Sequence, residues 1–509
     1  MGHFTQEQLT ERYTMTGRLT QIALGLVGVG LVLLIAGIFL ESGKKKDTPA
    51  DASHEGHSQR TEQLVIQPVS NPQDAHQDGT HQEGTHQEGT HEEGSHEAPH
   101  TETPADAHSG EAAHDDTHQE GAVHPDAAHA DGDHAAAGHG EHHDTGVMGR
   151  ILANLLLCSV YFFCIAMGSM FFLTIHRVGN AGWHTAIMRV PEAITQWLPV
   201  GVVGFVALFF FMDQLYEWLI VPENADPLID AKRAYLNKGF FIARSVVFFG
   251  VWIAAALYLR KLSHDQDREG GLFHFKRSEV ISALFIIFFA ISYCLYAIDW
   301  IKSLEPHWFS TIFGVYIFGG SMVIANATIY LITAYLKTQG YMKWVNDAHF
   351  HDLGKYTFGF SIFWAYIWLA QYLLIWYANI PEEGIYYVKR YRVEDHQYLG
   401  YSFFFYSNII INFVLPFFML MTRNAKRKFL TYVPVAVIVL YGRWHDLFLM
   451  IMPGAVGQNP GIGLIEIGMF MAFAGLFVYV VFRALTSSNL VPLKHPYLEE
   501  SLHHTTGAV

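Results

Sequence analysis

The chain has 509 residues, of which 51% are apolar and only 16% are Asp, Glu, Lys or Arg. Soluble globular proteins carry about a quarter of charged residues, so this composition indicates an integral membrane protein. The three cysteines lie in apolar runs without a Cys-x-x-Cys pair, which argues against a zinc ribbon, an iron–sulfur cluster or covalently attached haem.

Ten apolar runs are long enough to cross a hydrocarbon layer of about 30 Å, which takes about 20 residues of α-helix. The sequence therefore predicts an all-α integral membrane protein with ten transmembrane helices, which we number α1 to α10 in chain order. They cover residues 17–40, 149–175, 194–217, 239–259, 279–301, 311–336, 356–378, 401–421, 429–451 and 464–486. No cleavage site follows α1, so we expect a retained anchor.

A charged segment separates α1 from α2. Residues 41–148 contain 23 Asp and Glu, 4 Lys and Arg and 17 of the 30 histidines, so they hold a net charge of −19 while the rest of the chain sums to +4. Their only apolar cluster is at 64–66. Such a segment cannot bury enough apolar surface to offset the entropy of ordering, and we expect a disordered loop.

Within this loop, the stretch HQDGTHQEGTHQEGTHEEGSHE places a histidine every five residues, at His76, His81, His86, His91 and His96. That period fits neither a helix face nor a strand face, so no preformed site is expected. In a flexible chain these imidazoles could still gather weakly around Zn²⁺ or Cu²⁺. The alternatives are a solvated spacer and a loop whose charge responds to pH.

The Lys and Arg distribution predicts the orientation. From α2 onward, the loops on one side of the membrane are the more basic, and the C-terminal tail lies on that side. The positive-inside rule then places both termini in the cytoplasm and the histidine-rich loop outside. Lys44, Lys45 and Lys46, directly after α1, favour the reverse for that helix alone.

Three motifs recur on helices that are four apart. The start of α4, AYLNKGFFIARS, matches the start of α8, QYLGYSFFFYSN, and both α3 and α7 close on a Pro-Glu, in EWLIVPEN and WYANIPEE. In α5 and α9 an aspartate stands seven residues before a proline, as Asp299 before Pro306 and Asp446 before Pro453. The consistent order predicts an internal duplication that forms two four-helix bundles, α2–α5 and α6–α9, with α1 and α10 peripheral.

The predicted divisions of the chain follow from this repeat and from the charged segment. They are the N-terminal segment with α1 at 1–40, the histidine-rich loop at 41–148, the first bundle at 149–305, the second bundle at 306–453, and α10 with a cytoplasmic tail at 454–509.

Ionisable side chains inside a span are costly, so each is a functional candidate until a partner explains it. The densest group is Arg443, His445 and Asp446 in α9. Arg443 and Asp446 are three residues apart and can form a structural ion pair on one helix face. The alternative is that His445 and Asp446 lie beside a cofactor headgroup or on a proton path.

The matching region of α5 contains Asp299 and is followed by SLEPHWFST, with Glu305 and His307. A histidine and a carboxylate beside aromatic rings could bind a quinone oxygen and exchange its protons; the alternative is a loop anchored in the headgroup layer. Asp213 near the end of α3 and Arg244 in α4 are further candidates, and mutual pairing would explain both without a function.

Two acidic residues have a structural explanation from position alone. Glu279 and Glu466 stand near the predicted starts of α5 and α10, where a carboxylate favours a helix N-terminus, so capping is expected for both. A haem b would need two histidines facing each other inside the bilayer. Outside the loop only His445 lies well within a predicted span, so no haem is expected in this chain.

The ten spans, together with DWIKSLEPHWFSTIFGVYIFGG and LYGRWHDLFLMIMP, resemble the NrfD-like integral membrane family, and most closely the F subunits of bacterial alternative complex III. Those complexes oxidise quinol and pass the electrons to a cytochrome c or to an oxidase. The resemblance covers residues 1–40 and 147–509. It implies a multi-pass protein of the bacterial inner membrane, with the histidine-rich loop in the periplasm, and two four-helix bundles with two peripheral helices.

The resemblance also implies cofactors and partners. This chain would hold no haem and no iron–sulfur cluster, and quinone or menaquinone would be the ligand of the complex. Its partners would be a multihaem cytochrome c subunit, an iron–sulfur subunit, a second NrfD-like membrane subunit, other subunits of the complex and a terminal oxidase, with lipid around the chain and no nucleic acid.

The family pattern carries over to six positions, as quinone-side or proton-path residues: Asp299, Glu305, His307, Arg443, His445 and Asp446. The second NrfD-like subunit, which lies against the iron–sulfur protein, is the stronger candidate for the productive quinol site. The leading hypothesis is therefore a subunit that scaffolds the complex and conducts protons.

Two other functions stay open. An NrfD-type quinol-binding subunit of another periplasmic reductase uses the same bundle, although such subunits usually have eight or nine spans. A metal-cation transporter would explain a histidine-rich loop, but a carrier needs ligands that face each other near the bilayer midplane. The sequence offers only one deep His-Asp pair, in α9.

Overall fold

The computed structural model of the protein describes residues 9–44, 146–391, 399–457 and 461–506. The histidine-rich loop lies outside these residues, and so do the five candidate metal-binding histidines, His76, His81, His86, His91 and His96. Within the described ranges the chain is helical, and no β-strand forms there; an isolated bridge pairs Arg12 with Asn489.

Within the described ranges ten helices are long and apolar enough to cross a membrane, as predicted, which indicates a multi-pass membrane protein. The bounds of α1 to α10 are Gly17–Gly43, Gly146–Val178, Arg189–Phe209, Lys238–Glu269, Phe273–Leu304, Phe313–Thr338, Asp347–Ala378, Tyr401–Leu420, Phe429–Ala455 and Leu464–Leu485. The most buried helices are α2, α6 and α9, and α1 is the most exposed. The core therefore lies around these three helices.

Several helices extend beyond their apolar runs. The helix α4 continues to Glu269 and α7 begins at Asp347, because polar residues can prolong a helix outside the hydrocarbon layer. At the start of α7, Asn346 caps the helix: its side-chain oxygen accepts hydrogen bonds from the backbone N–H groups of Ala348 and His349, at 2.9 and 3.3 Å.

The predicted end of α3 is wrong. The helix ends at Phe209, and two short 3₁₀ turns follow, Met212–Gln214 and Glu217–Leu219. The prediction that α3 closes on a Pro-Glu is therefore wrong, because the helix ends well before Pro222. In α7 the helix ends at Ala378, where Asn379 adopts a left-handed conformation with φ of 48°, shortly before the second Pro-Glu.

Both described chain ends lie at the same end of the molecule. The N–H of Leu490 donates to the carbonyl of Glu11 at 3.1 Å, and Ser501, beyond α10, donates to the carbonyl of Trp183, which follows α2. We call this the terminal end. The opposite end contains the α5–α6 connection, residues 305–312, and the segment before α10; we call it the loop end.

Glycines bring α1 and α10 into close contact. A Cβ on Gly468 would lie 2.5 Å from the backbone nitrogen of Leu34, and a Cβ on Gly30 would lie 2.5 Å from that of Ala472. Lipid gives helices no hydrophobic drive to associate, so small residues that let two backbones approach are a main source of contact energy. The α1–α10 pair is a tight unit on this account.

Replacing Gly468 with Leu should separate α1 from α10 because the new side chain has no space, and overpacking of this kind costs about 1–3 kcal/mol. The thermal unfolding midpoint of the purified protein in detergent should therefore fall. Gly28→Leu is the matched control, since a Cβ at Gly28 meets nothing within 4 Å. Equal midpoints for the two variants would contradict this account of the contact.

Candidate functional site

The first buried ion pair joins α4 to α5. Asp299 of α5 accepts two hydrogen bonds from the Arg244 guanidinium, both of 3.0 Å, and a third from the Tyr235 hydroxyl at 2.9 Å. The guanidinium carbon of Arg244 lies 3.8 Å from the centre of the Tyr235 ring. The carboxylate thus has its full set of donors, and two-point pairing fixes the geometry of both side chains.

The second buried ion pair centres on Asp446 of α9. Its carboxylate accepts hydrogen bonds from the Tyr316 hydroxyl of α6 at 2.5 Å, from the Asn408 side chain of α8 at 2.8 Å and from Arg443 at 3.3 Å. The Arg443–Asp446 pair expected from the spacing is therefore present. Three helices contribute to this one carboxylate, which makes it a junction of α6, α8 and α9.

An irregular turn in α8 positions the partner of Arg443. Residues Ile410–Val414 form a π-helical turn, and Asn412 within it accepts a hydrogen bond from Arg443 Nε at 2.8 Å. The same side chain donates to the carbonyl of Gly442 at 2.9 Å. Such turns are rare in proteins as a whole, but those that occur are often found at functional sites, because the extra residue redirects side chains. Arg443 also lies over Trp364, 3.8 Å from the ring centre.

Asp446 borders a small internal cavity of about 20 Å³, which Cys164, Ser321 and Arg443 also line. The Tyr293 hydroxyl lies 2.5 Å from Ser321 Oγ and donates to Cys164 Sγ at 3.3 Å. A cavity needs about 10–15 Å³ and polar partners to hold a water molecule, so one water fits here. A water molecule in this cavity would connect the Asp446 carboxylate, through hydrogen bonds, to the group of Ser321, Tyr293 and Cys164.

His445 faces α8. Its Nε2 lies 2.7 Å from the carbonyl of Phe404 and 3.2 Å from Ser407 Oγ, while its Nδ1 is buried and has no hydrogen-bond partner in the part of the chain that the structure describes. The ring packs on Phe404 at 4.8 Å between centres. The imidazole therefore contacts the backbone of the neighbouring helix and is separate from the donors of Asp446.

The SLEPHWFST stretch does not form one site. Glu305 binds Arg390, whose Nη2 lies 2.5 Å from Oε2, whereas His307 pairs with Asp226, Nε2 to Oδ2, at 2.5 Å. Arg390 is fully buried and also donates to the carbonyl of Leu449 in α9 at 3.0 Å. Arg390, carried by the short helix Pro381–Tyr391, therefore joins the α5–α6 connection, through Glu305, to the loop end of α9.

The alternative that Asp213 and Arg244 pair with each other is wrong. Asp213 is exposed and binds Lys238, with Nζ 2.9 Å from Oδ2, whereas Arg244 binds Asp299. The cause is the early end of α3 at Phe209, which leaves Asp213 in a 3₁₀ turn beyond the span. Asp213 is thus a surface residue, and Arg244 is explained by Asp299.

The capping expectation holds for one of the two glutamates. Glu466 accepts a hydrogen bond from the N–H of Gly463 at 2.7 Å, at the start of α10, and also binds Arg150 of α2, with Nη2 at 2.7 Å. Glu279 lies beyond the first turn of α5, because that helix already begins at Phe273; it accepts from Asn180 at 3.3 Å.

Sequence reasoning missed several hydrogen-bond partners of the candidate residues. Tyr235, Tyr316, Asn408 and Asn412 are uncharged, and Arg390 stands outside the apolar runs, so a search for charges inside spans passes over them. The match between the starts of α4 and α8 was the available indication. It aligns Arg244 with the Ser407–Asn408 region, where the second carboxylate finds its donor.

The Arg244–Asp299 pair should act as a unit. Arg244→Leu leaves a buried carboxylate without its counter-charge, and breaking such a pair costs about 3–5 kcal/mol, whereas Arg244→Leu combined with Asp299→Leu should cost clearly less. The measurement is a double-mutant cycle of unfolding free energies in detergent. Asp213→Asn is the control, since exposed pairs contribute about 0–1 kcal/mol. Additive losses would refute the coupling.

Asp226, beyond the spans, should make a pH-dependent contribution to stability. Partial burial raises the pKa of its carboxyl, but the hydrogen bonds from His307 and from the N–H groups of Ile229 and Leu228 outweigh it, and the net pKa is lowered. The stabilisation is therefore present above the unfolded pKa of about 3.9 and is lost as the pH falls through the folded value.

Asp226→Asn tests this, because asparagine still caps a helix. Unfolding midpoints of wild type and variant, measured from about pH 3 to about pH 7, should differ at neutral pH, and the difference should shrink as the pH falls below the unfolded pKa towards the lower folded pKa. A difference that stays constant over the whole range would mean that the carboxylate charge contributes nothing.

Among the described residues no group of three or more His, Cys, Asp or Glu is arranged to hold a metal ion. The site that the geometry offers is instead a pair of carboxylates inside the helix bundle, each bound by one arginine and one tyrosine. No model of a known protein family matches the chain, and no curated protein is significantly similar to it.

Proposed function

We propose that this chain is a cofactor-free membrane subunit of a quinol:cytochrome c or quinol:oxidase oxidoreductase, of the NrfD-like type that the sequence resembles. It scaffolds the complex and conducts protons. The observation that carries the proposal is the pair of buried carboxylates, Asp299 and Asp446, at corresponding positions of α5 and α9, each held by an arginine and a tyrosine hydroxyl.

The contacts support the two-bundle arrangement of this family. The donors of Asp299 lie on α4 and directly before it, and those of Asp446 lie on α6, α8 and α9, so each cluster stays within its own set of four helices. The Trp364 ring that packs on Arg443 belongs to α7, in the same set. The close α1–α10 contact leaves these two helices outside both sets.

Polar groups between Asp446 and the terminal end support a proton path. Ser169 Oγ, Asn326 Oδ1 and His176 Nε2 are buried on α2 and α6 without a hydrogen-bond partner among the described residues. Buried polar groups of this kind are usually satisfied by ordered water, which would continue the line from the cavity at Asp446. Moving one elementary charge across the membrane along this line changes its free energy by about 2.3 kcal/mol per 100 mV of membrane potential.

The proposal assigns the terminal end to the cytoplasm of a bacterium, since the more basic loops lie there, and the loop end to the periplasm. Partner subunits with multiple haems c and with iron–sulfur clusters would bind at the loop end, beside a second NrfD-like subunit. Glu305 and His307 already have partners at that end. This favours a scaffolding role for them over direct contact with quinone.

Purification in mild detergent tests the assignment. A multihaem cytochrome c and an iron–sulfur protein should co-migrate with the chain, and the assembly should oxidise quinol. Asp446→Asn and Asp299→Asn then test the proton path: Asp446→Asn should lower the yield of protons released per electron while the complex stays assembled. Isolation of the chain alone, as a homodimer, would refute the assignment. If turnover and proton yield are unchanged in both variants, the proton path is refuted and scaffolding of the complex is the remaining role.

A further inference from the structure

A groove of about 520 Å³ runs along α7 at the terminal end, away from the loop end. One face of the helix lines it from Asp352 to Phe363, and Trp183, from the turn after α2, also lines it. From Asp352 to Phe363 the helix rises about 16 Å, roughly half of a 30 Å hydrocarbon layer. The groove therefore has the depth of a single leaflet.

Polarity changes in one direction along this groove. Asp352 and Lys355 line the end nearest the chain termini, and Phe360 and Phe363 line the end towards the bilayer centre. Trp183 and Tyr356 stand between them with nearly parallel rings, 6.1 Å between centres, at the depth where aromatic side chains favour the headgroup region. The order of polar, aromatic and apolar surface is that of a phospholipid.

The polar end contains both signs of charge. Asp352 is buried, with His504 Nε2 2.6 Å from Oδ2, and the half-exposed Lys355 places Nζ 2.6 Å from Oδ1. A headgroup that has both an ammonium and a phosphate complements this pair: the ammonium is attracted by the carboxylate and the faces of Trp183 and Tyr356, and the phosphate by the exposed Lys355.

We infer that this groove binds one phospholipid of the phosphatidylethanolamine class, from the leaflet at the terminal end. Its ammonium lies at Asp352 and the aromatic rings, its phosphate at Lys355, and one acyl chain along Phe360 and Phe363. Gly359 provides the floor that admits this chain, since a Cβ there would meet nothing within 4 Å. The site does not depend on quinol oxidation.

Gly359 also supplies the test. Gly359→Leu projects into the groove from a position whose Cβ meets nothing within 4 Å, and Leu is a better helix former than Gly, so the variant should fold. Gly250→Leu is the matched control, because Gly250 of α4 likewise has open space around its Cβ. The probe is a phosphatidylethanolamine with a photoreactive group in its acyl chain, added to the full-length protein with any subunits that co-purify.

Cross-linking to the peptide that contains α7 should fall about tenfold or more in Gly359→Leu and stay at the wild-type level in Gly250→Leu. Equal cross-linking in wild type and Gly359→Leu would overturn the site. Competition on the wild-type protein needs no variant: unlabelled phosphatidylethanolamine should compete about tenfold better than phosphatidylglycerol or diacylglycerol. Equal competition, or stronger competition by a short-chain quinone, would overturn the assignment of the ligand.

Lys355→Met separates the headgroup contact from the groove itself. In this variant phosphatidylethanolamine should compete less well relative to diacylglycerol, which lacks a phosphate, because the lysine ammonium that attracts the lipid phosphate is gone. Lys343→Met, at another exposed lysine of the same end, should leave this competition at the wild-type level. The same effect in both variants would show that general surface charge, and no specific contact, selects the lipid.

Discussion

A charged side chain inside a membrane protein needs hydrogen-bond partners from the protein in place of water. Water is scarce at the centre of the bundle, so a carboxylate there is tolerated only when protein donors replace the hydrogen bonds that water would make. Asp299, Asp446 and Glu466 all meet this condition through an arginine and at least one neutral donor. The positions of α2, α4, α5, α6, α8, α9 and α10 are constrained by these three carboxylates.

The constraint acts at different depths. At the loop end, Arg390 is buried although it lies outside the apolar runs of the sequence. It binds Glu305 and donates to backbone carbonyls at the end of α9. The short helix that carries it, Pro381–Tyr391, therefore lies against the loop end of α9. Deeper, Asn408 and Asn412 of α8 donate and accept without charge, which is possible because Asp446 already has Arg443 on its own helix.

The number and approximate bounds of the helices follow from hydropathy, because the bilayer thickness fixes how long an apolar run must be. The end of α3 does not, since the aromatic run continues past Phe209 while the helix stops there. The carboxylates of the candidate site stand out in the sequence for their cost in a span. Their neutral donors do not, because a tyrosine or an asparagine in a membrane helix is common and its partner depends on packing that no local pattern encodes.

The two aspartates differ in where their arginine comes from. Arg244 reaches Asp299 from the neighbouring helix, so that ion pair clamps α4 against α5 and the two helices can part only by separating opposite charges. Arg443 is on the same helix as Asp446, so α9 carries both charges and can shift against α8 as a neutral body. An ion pair thus joins α4 to α5, whereas α8 and α9 are joined through the neutral side chains of Asn408 and Asn412, so a shift of α9 along α8 would break these hydrogen bonds but separate no opposite charges.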